Sequence, residues 1–218
     1  MQKHLKISIV TTKMIIPALP MHFDDILAAA AVKEHLSQNN EAIGDYDKII
    51  NFLPLAKQEE GKDWIWKASV IRWNNHGNFM KSLTQSLDQY KIALLKDQGV
   101  IKFGGSSLNT ASGPLKSSIS LLPSAAYSNG VAFCIGEKEK VERLLAQLEY
   151  IGKKHQRGCG KVISFQVDIV EASDAWTDRT LPLSMESLKQ NRHSLASQVG
   201  VRPPYWLNKV PMGWAVQS

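Results

Sequence analysis

The chain has 218 residues, 44% of them apolar and 21% charged, a balance that leaves room for a hydrophobic core and excludes wholesale disorder. No apolar run reaches the roughly 18 residues needed to cross a bilayer as a helix, and the opening MQKHLKISIV alternates instead of forming a signal peptide's apolar block, so a soluble, cytoplasmic protein is expected. A net charge of +6 is compatible with an anionic partner without demanding one.

Leu5, Ile7 and Ile9 alternate with Lys6 and Ser8, which predicts a half-buried strand ending before Pro17 and Pro20. In MHFDDILAAAAVKEHL, Phe23, Ile26, Leu27 and Ala30 keep helical spacing. Asp24 and Asp25 suit the positive end of that helix's dipole, and four alanines permit close packing on a sheet. Gly44 to Lys62 is polar and reads as an exposed connection, whereas DWIWKASVIRWNN, from Asp63, reads as a second long strand. From Asn74 to Ser128 glycine, serine, asparagine and proline are frequent, which fits an extended hairpin or loop insertion that begins with a short helix over Met80 to Leu87.

Asn129-Gly130 fits a turn and VAFCIG a compact strand. In EKEKVERLLAQLEYIG the residues Val141, Leu144, Leu145, Leu148 and Ile151 form one helical stripe, with Gly152 placed to end the helix. Ile163, Phe165, Val167 and Ile169 alternate in a last strand, and the residues beyond it, through RPPYW, read as an ordered but irregular wrap. The resulting order is β-α-β-β-α-β: an α+β, ferredoxin-like sheet in one domain over 1–218, with 74–128 inserted between its middle strands. Such a sheet leaves one face uncovered, the face that RNA-recognition modules use, although fold alone does not fix function.

The charge is unevenly distributed. Glu137, Glu139, Glu142 and Glu149 belong to the predicted helix before GKKHQRGCGK, whereas Lys153, Lys154, Arg157 and Lys161 fall within nine residues free of acids. Glycines between a helix and a strand let backbone N–H groups approach phosphates, and neighbouring cations neutralise them. The stretch is not a nucleotide-binding P-loop, because it leaves a helix and enters a strand, with no Lys-Ser/Thr pair opening a following helix. A tight turn at Gly158 and Gly160 with solvated cations fits the same residues, and the stretch by itself leaves both readings open. Cys134 and Cys159 lack CxxC or paired-histidine spacing and are expected to be reduced thiols rather than metal ligands.

Combined with the strand order, IGKKHQRGCGKV after an amphipathic helix and P-x-H-x-D-D-I-L-A-A-A near the start resemble the RAMP superfamily of CRISPR proteins, marked by a C-terminal glycine-rich loop. PMHFDDILAAAAV, GGSSLNTASGPLKS and RPPYW are most similar to the Cas-five-type subunit of type IV CRISPR effector complexes. The resemblance implies a non-enzymatic subunit that caps one end of the complex and holds the 5′ handle of the crRNA. It implies contacts with the backbone and large subunits, target DNA nearby and a helicase recruited by the complex. The insertion then corresponds to a thumb that bends the guide.

Lys153, Lys154, His155, Arg157, Gly158, Gly160 and Lys161 are accordingly the leading RNA-binding residues, joined by His22, Arg72, Lys102 and Lys116. Each has an ordinary alternative: an exposed histidine for His155, commonplace loop lysines for Lys102 and Lys116. In RNA-processing relatives a histidine near the first helix acts as general base on a ribose 2′-OH, which makes a metal-independent Cas-six-like endoribonuclease, with His22 or His155 as base, the competing reading. A histidine capping the helix or bonding Asp25 fits His22 as well, and no catalytic partner is evident, so no catalytic residue, metal or cofactor is assigned. Trp64, Trp66 and Trp73 offer stacking surfaces or core packing, with the first two expected in the core. Arg202, Tyr205 and Trp206 fit a C-terminal anchor or an RNA or subunit contact.

Overall fold

The computed structural model describes residues 1–12, 20–39, 46–85, 88–100, 117–153, 158–173, 175–176, 178–188, 194–198, 200–203, 205 and 212–216. The chain divides into two compact units, one made of Met1–Gly77 and Ala125–Ser218 and the other of Asn78–Ser124. In chain order the described elements are β1 (Lys3–Thr11), α1 (Phe23–Asn39), the one-turn α2 (Asp47–Ile50), β2 (Lys57–Glu60), β3 (Asp63–Trp66), β4 (Arg72–Gln85) and α3 (Gln89–Asp97). They continue with β5 (Ser118–Gly136), α4 (Lys138–Leu145), β6 (Val162–Ile169), β7 (Leu181–Pro182), a 3-10 turn, β8 (Ser194–Gln198) and β9 (Met212–Val216).

A four-stranded antiparallel sheet has the order β4-β5-β1-β6. β1 is central, with Ile7 opposite Ala132 of β5 and Val167 of β6. The alternation in its sequence is why: Leu5, Ile7 and Ile9 point into the core while the residues between them stay partly exposed. Phe23, Leu27, Ala28 and Ala30 of α1 and Val141, Leu144 and Leu145 of α4 meet them in one cluster. Burying each large apolar side chain there is worth roughly 1.5–3 kcal/mol. In β6 only Val167 is fully buried, and Ile163 and Ile169 are exposed on this edge strand.

The long strand expected from Asp63 is broken. Its first residues form a hairpin, β3 pairing with β2 inside the segment expected to be a bare connection. Lys67 to Ser69 then follow β5, with Ser69 N donating to Phe133 O at 2.8 Å and Ile135 N to Lys67 O at 2.9 Å, before β4 begins. Asn129-Gly130 is not a turn: β5 runs straight through it, pairing with Val10 and Ile9. Glycine is required there because the Trp73 ring lies 2.7 Å from where a Cβ would be. No helix starts at Met80, which lies in β4; α3 begins later, where Asp88 Oδ1 accepts a hydrogen bond from Tyr90 N at 3.1 Å.

Helix α4 stops at Leu145, earlier than its stripe predicts, because the chain turns and pairs with the segment after the glycine loop. The C-terminal wrap is also more regular than expected, forming a three-stranded sheet ordered β7-β9-β8. A second small core of Ile65, Leu181 and Met185 joins the β2-β3 hairpin to it. Cys134 and Cys159 are both buried, and neither forms a disulfide. Among the described residues no helix is long and apolar enough to cross a membrane.

In the unit Asn78–Ser124, Phe79, Met80, Tyr90, Leu94, Ile119 and Leu121 are exposed.

Candidate functional site

The first turns of α1, the segment after α4 and Tyr205 line a half-open cavity of about 720 Å³. Met21 and His22 are fixed at its edge by pairing with Ser69 to Ile71: Phe23 N donates to Ser69 O at 3.0 Å and Ile71 N to Met21 O at 2.9 Å. Met21, Ile26, Leu148 and Ile151 supply apolar walls, His22, Asp25 and Tyr205 supply polar groups, and Lys33, Glu149 and Lys153 also line it. Lys33 Nζ donates to Gln147 O at 2.8 Å and to Glu149 at 3.0 Å, tying α1 to the segment beyond α4. That hydrogen bond holds the exposed Glu149 carboxyl below the ordinary carboxylate range.

Behind the cavity lies a buried polar cluster. Both terminal nitrogens of Arg179 donate to Asp24, at 3.1 and 2.8 Å, and the Tyr205 hydroxyl donates to the same carboxylate at 3.2 Å. Arg179 also donates to Ala68 O at 2.8 Å and Val201 O at 3.1 Å, so one guanidinium joins the start of α1, the β5-flanking segment and the C-terminal wrap. Burial pulls Arg179 down, yet Asp24 and Tyr205 more than reverse this and hold it charged, above its ordinary value. Desolvation pushes the Tyr205 hydroxyl well up, despite Arg179.

His22 stacks on Tyr205, with ring centroids 4.8 Å apart, and its Nε2 lies 3.1 Å from the Thr180 hydroxyl. Burial, with the nearby Arg179 charge, lowers its pKa to about 3, so the ring is neutral at physiological pH. Asp25 is pushed the other way, to about 7, first by burial and then by the Asp24 charge. Asp24 and Asp25 both sit in the first turn of α1, at the positive end of its dipole, but in unlike surroundings: one is locked in a buried ion pair and the other lines the cavity.

The glycine loop is closed at its base. Ile151 N donates to Gly160 O and Val162 N to Glu149 O, both at 2.8 Å, and Thr12 N donates to Lys161 O at 2.8 Å. Gly160 has φ +69°, and a Cβ there would run into the Ile151 carbonyl oxygen. Gly158 has φ +73° in open space, while Lys153 and Lys161 are exposed on either side. Lys154, His155 and Arg157, like Lys102, Lys116 and Trp206, lie outside the described residues.

The other residues singled out in the sequence lie elsewhere. Arg72 is half exposed and 3.7 Å from Asp178. Trp66 is core, Trp64 packs edge-on against it, and Lys57 and Arg202 lie over the Trp64 ring. Trp73 stacks on Tyr127 at 5.4 Å. The cluster thus brings His22 and Tyr205 together, and it adds Arg179 and Thr180, which no sequence pattern marks. Among the described residues no group of three His, Cys, Asp or Glu side chains is placed to hold a metal ion.

No curated protein matches the chain. The model of one family, described as CRISPR type IV associated protein Csf3, matches residues 3–217. That match spans the glycine loop, both helices of the main core and the C-terminal sheet, so the chain belongs to the family of the CRISPR type IV associated protein Csf3.

Proposed function

We propose that this subunit of a type IV CRISPR complex is a non-catalytic guide-RNA holder that grips the 5′ handle of the crRNA through its glycine loop. The single observation that carries the reading is the loop's construction. Gly160 is locked in a conformation only glycine tolerates, Gly158 stands in open space, and Lys153 and Lys161 flank them in solvent. Such a turn offers backbone donors and cations to phosphates without a side chain in the way. The sheet order β4-β5-β1-β6, with α1 after β1 and α4 after β5, supports reading the core as a ferredoxin-like unit and Asn78–Ser124 as the thumb. Contacts with the backbone and large subunits, with target DNA and with a recruited helicase belong to the same proposal.

The absence of catalysis is part of the reading. A neutral imidazole buried against Thr180 and Tyr205, with a pKa near 3, is poorly matched to general acid–base work at neutral pH. The test is the salt dependence of binding to single-stranded repeat RNA. Lys153→Glu with Lys161→Glu weakens binding and reduces the slope of log K against log salt by more than about 1, since each phosphate contact on a single strand contributes roughly 0.7. An unchanged slope contradicts the assignment of phosphates to the loop.

A further inference from the structure

His22 is 3% exposed, and its Nδ1 has no hydrogen-bond partner among the described residues; the same holds for the buried Oδ1 of Asp25. Both residues line the 720 Å³ cavity, whose volume is within the roughly 300–1,000 Å³ of pockets that enclose small organic ligands. Buried polar atoms without partners are costly, and they are uncommon unless something else satisfies them. The walls at Met21, Leu148 and Ile151 are apolar, so the lining combines apolar packing with the polar residues His22 and Asp25.

Those features narrow the occupant. An anion meets the Asp25 carboxyl, and a purely aliphatic group makes no use of the polar side chains in the lining. A planar heterocycle with hydrogen-bonding edges packs against the walls and meets Asp25 in the lining. Lys153 lines the same cavity and is exposed, where it can meet a phosphate attached to that heterocycle. We propose that the cavity takes one unpaired nucleobase of the bound RNA, with Asp25 accepting from an exocyclic amino group. This rests on the reading of the chain as an RNA binder. A carboxylate accepts from the N4 amino group of cytosine, so above pH 7, where Asp25 is ionised, cytosine is bound in preference to uracil, which lacks that donor.

The test uses the full-length purified chain at pH 8, where Asp25 is ionised, and short unpaired oligomers of cytidine or uridine, followed by fluorescence polarisation. Ala29 lines the cavity yet is exposed, so Ala29→Phe fills space without entering the core, and Ala29→Ser is the control that leaves the space open. Ala29→Phe is expected to weaken cytidine-oligomer binding about tenfold, about 1.4 kcal/mol, with the salt slope unchanged. Ala29→Ser binds as wild type, and Asp25→Asn erases the preference for cytidine over uridine. Oligomer binding indifferent to Ala29→Phe overturns the cavity assignment while leaving the loop reading intact. No RNA binding by the wild-type chain overturns both. Free CMP bound as tightly as the oligomer overturns the assignment to a polymer.

Discussion

Asp25→Asn and His22→Asn separate two neighbouring groups whose protonation acts on stability in opposite senses. Burial holds the folded His22 at about 3, below its ordinary 6.5. Between those values the unfolded chain binds a proton that the folded chain refuses, so the His22 contribution is complete above pH 6.5 and is lost as pH falls through the folded value. Asp25 runs the other way: raised from 3.8 to about 7, it binds a proton in the folded state that the unfolded chain has released. Its contribution is complete below the ordinary carboxylate value and is lost as pH rises through 7.

Each contribution changes by at most about 1.4 kcal/mol per pH unit. In the shared window, from about pH 4 to 6.5, the two slopes cancel in the wild type. Removing Asp25 exposes the His22 slope. Between pH 6 and 4.5, Asp25→Asn therefore loses about 2 kcal/mol more than the wild type, whereas His22→Asn gains a similar amount relative to it. Urea unfolding followed by tryptophan fluorescence at several pH values reads this directly. All other titrating groups are common to the three chains and drop out of the differences. Three parallel profiles refute the account of the cluster.

Arg179→Met leaves the Asp24 carboxylate buried without its partner and costs about 3–5 kcal/mol in urea unfolding, and adding Asp24→Asn recovers a large part of that loss. Gly160→Ala lowers the melting temperature much more than Gly158→Ala: both glycines have positive φ, at about 1–2 kcal/mol for an L residue, but only the first Cβ strikes backbone. Incubated with repeat RNA in EDTA, the purified protein yields no cleavage products on a denaturing gel, and products that vanish in His22→Ala would establish the nuclease reading instead.

Local periodicity made part of this molecule readable before its structure. The alternation in β1, the apolar face of α1 and the first half of the α4 stripe are repeated signals, and each element buries the residues that its period marks, except Ile26 of α1, which is partly buried at the cavity. Gly130 resembles a turn residue in sequence because its cause is a distant ring contact: Trp73, 57 residues earlier in the chain, occupies the place of its Cβ. The early end of α4 likewise reflects competition from pairing with the segment after the glycine loop, which a stripe of apolar residues does not register. Strand β7 has two residues, too few for any period to show.

The candidate site was readable in a similar proportion. Glycines and cations at 152–161 announced the loop by composition, and the histidine before two acids drew notice to the start of α1. The Arg179–Asp24 pair spans 155 residues and has no local signature, so the group that joins α1 to the C-terminal wrap is set by the tertiary fold alone. The same distance hid the opposite environments of Asp24 and Asp25, which look equivalent in sequence.

The most direct test of the central claim is the RNA that accompanies the protein. The chain is co-expressed with its genomic neighbours and a repeat-spacer array, the complex is purified through this subunit, and the bound RNA is sequenced. Guide RNAs of uniform length with a repeat-derived 5′ handle, depleted when Lys153 and Lys161 are changed to glutamate, are the predicted result. A complex that assembles normally but carries no guide, or carries it undiminished after those substitutions, contradicts the claim that this subunit holds the handle through its glycine loop.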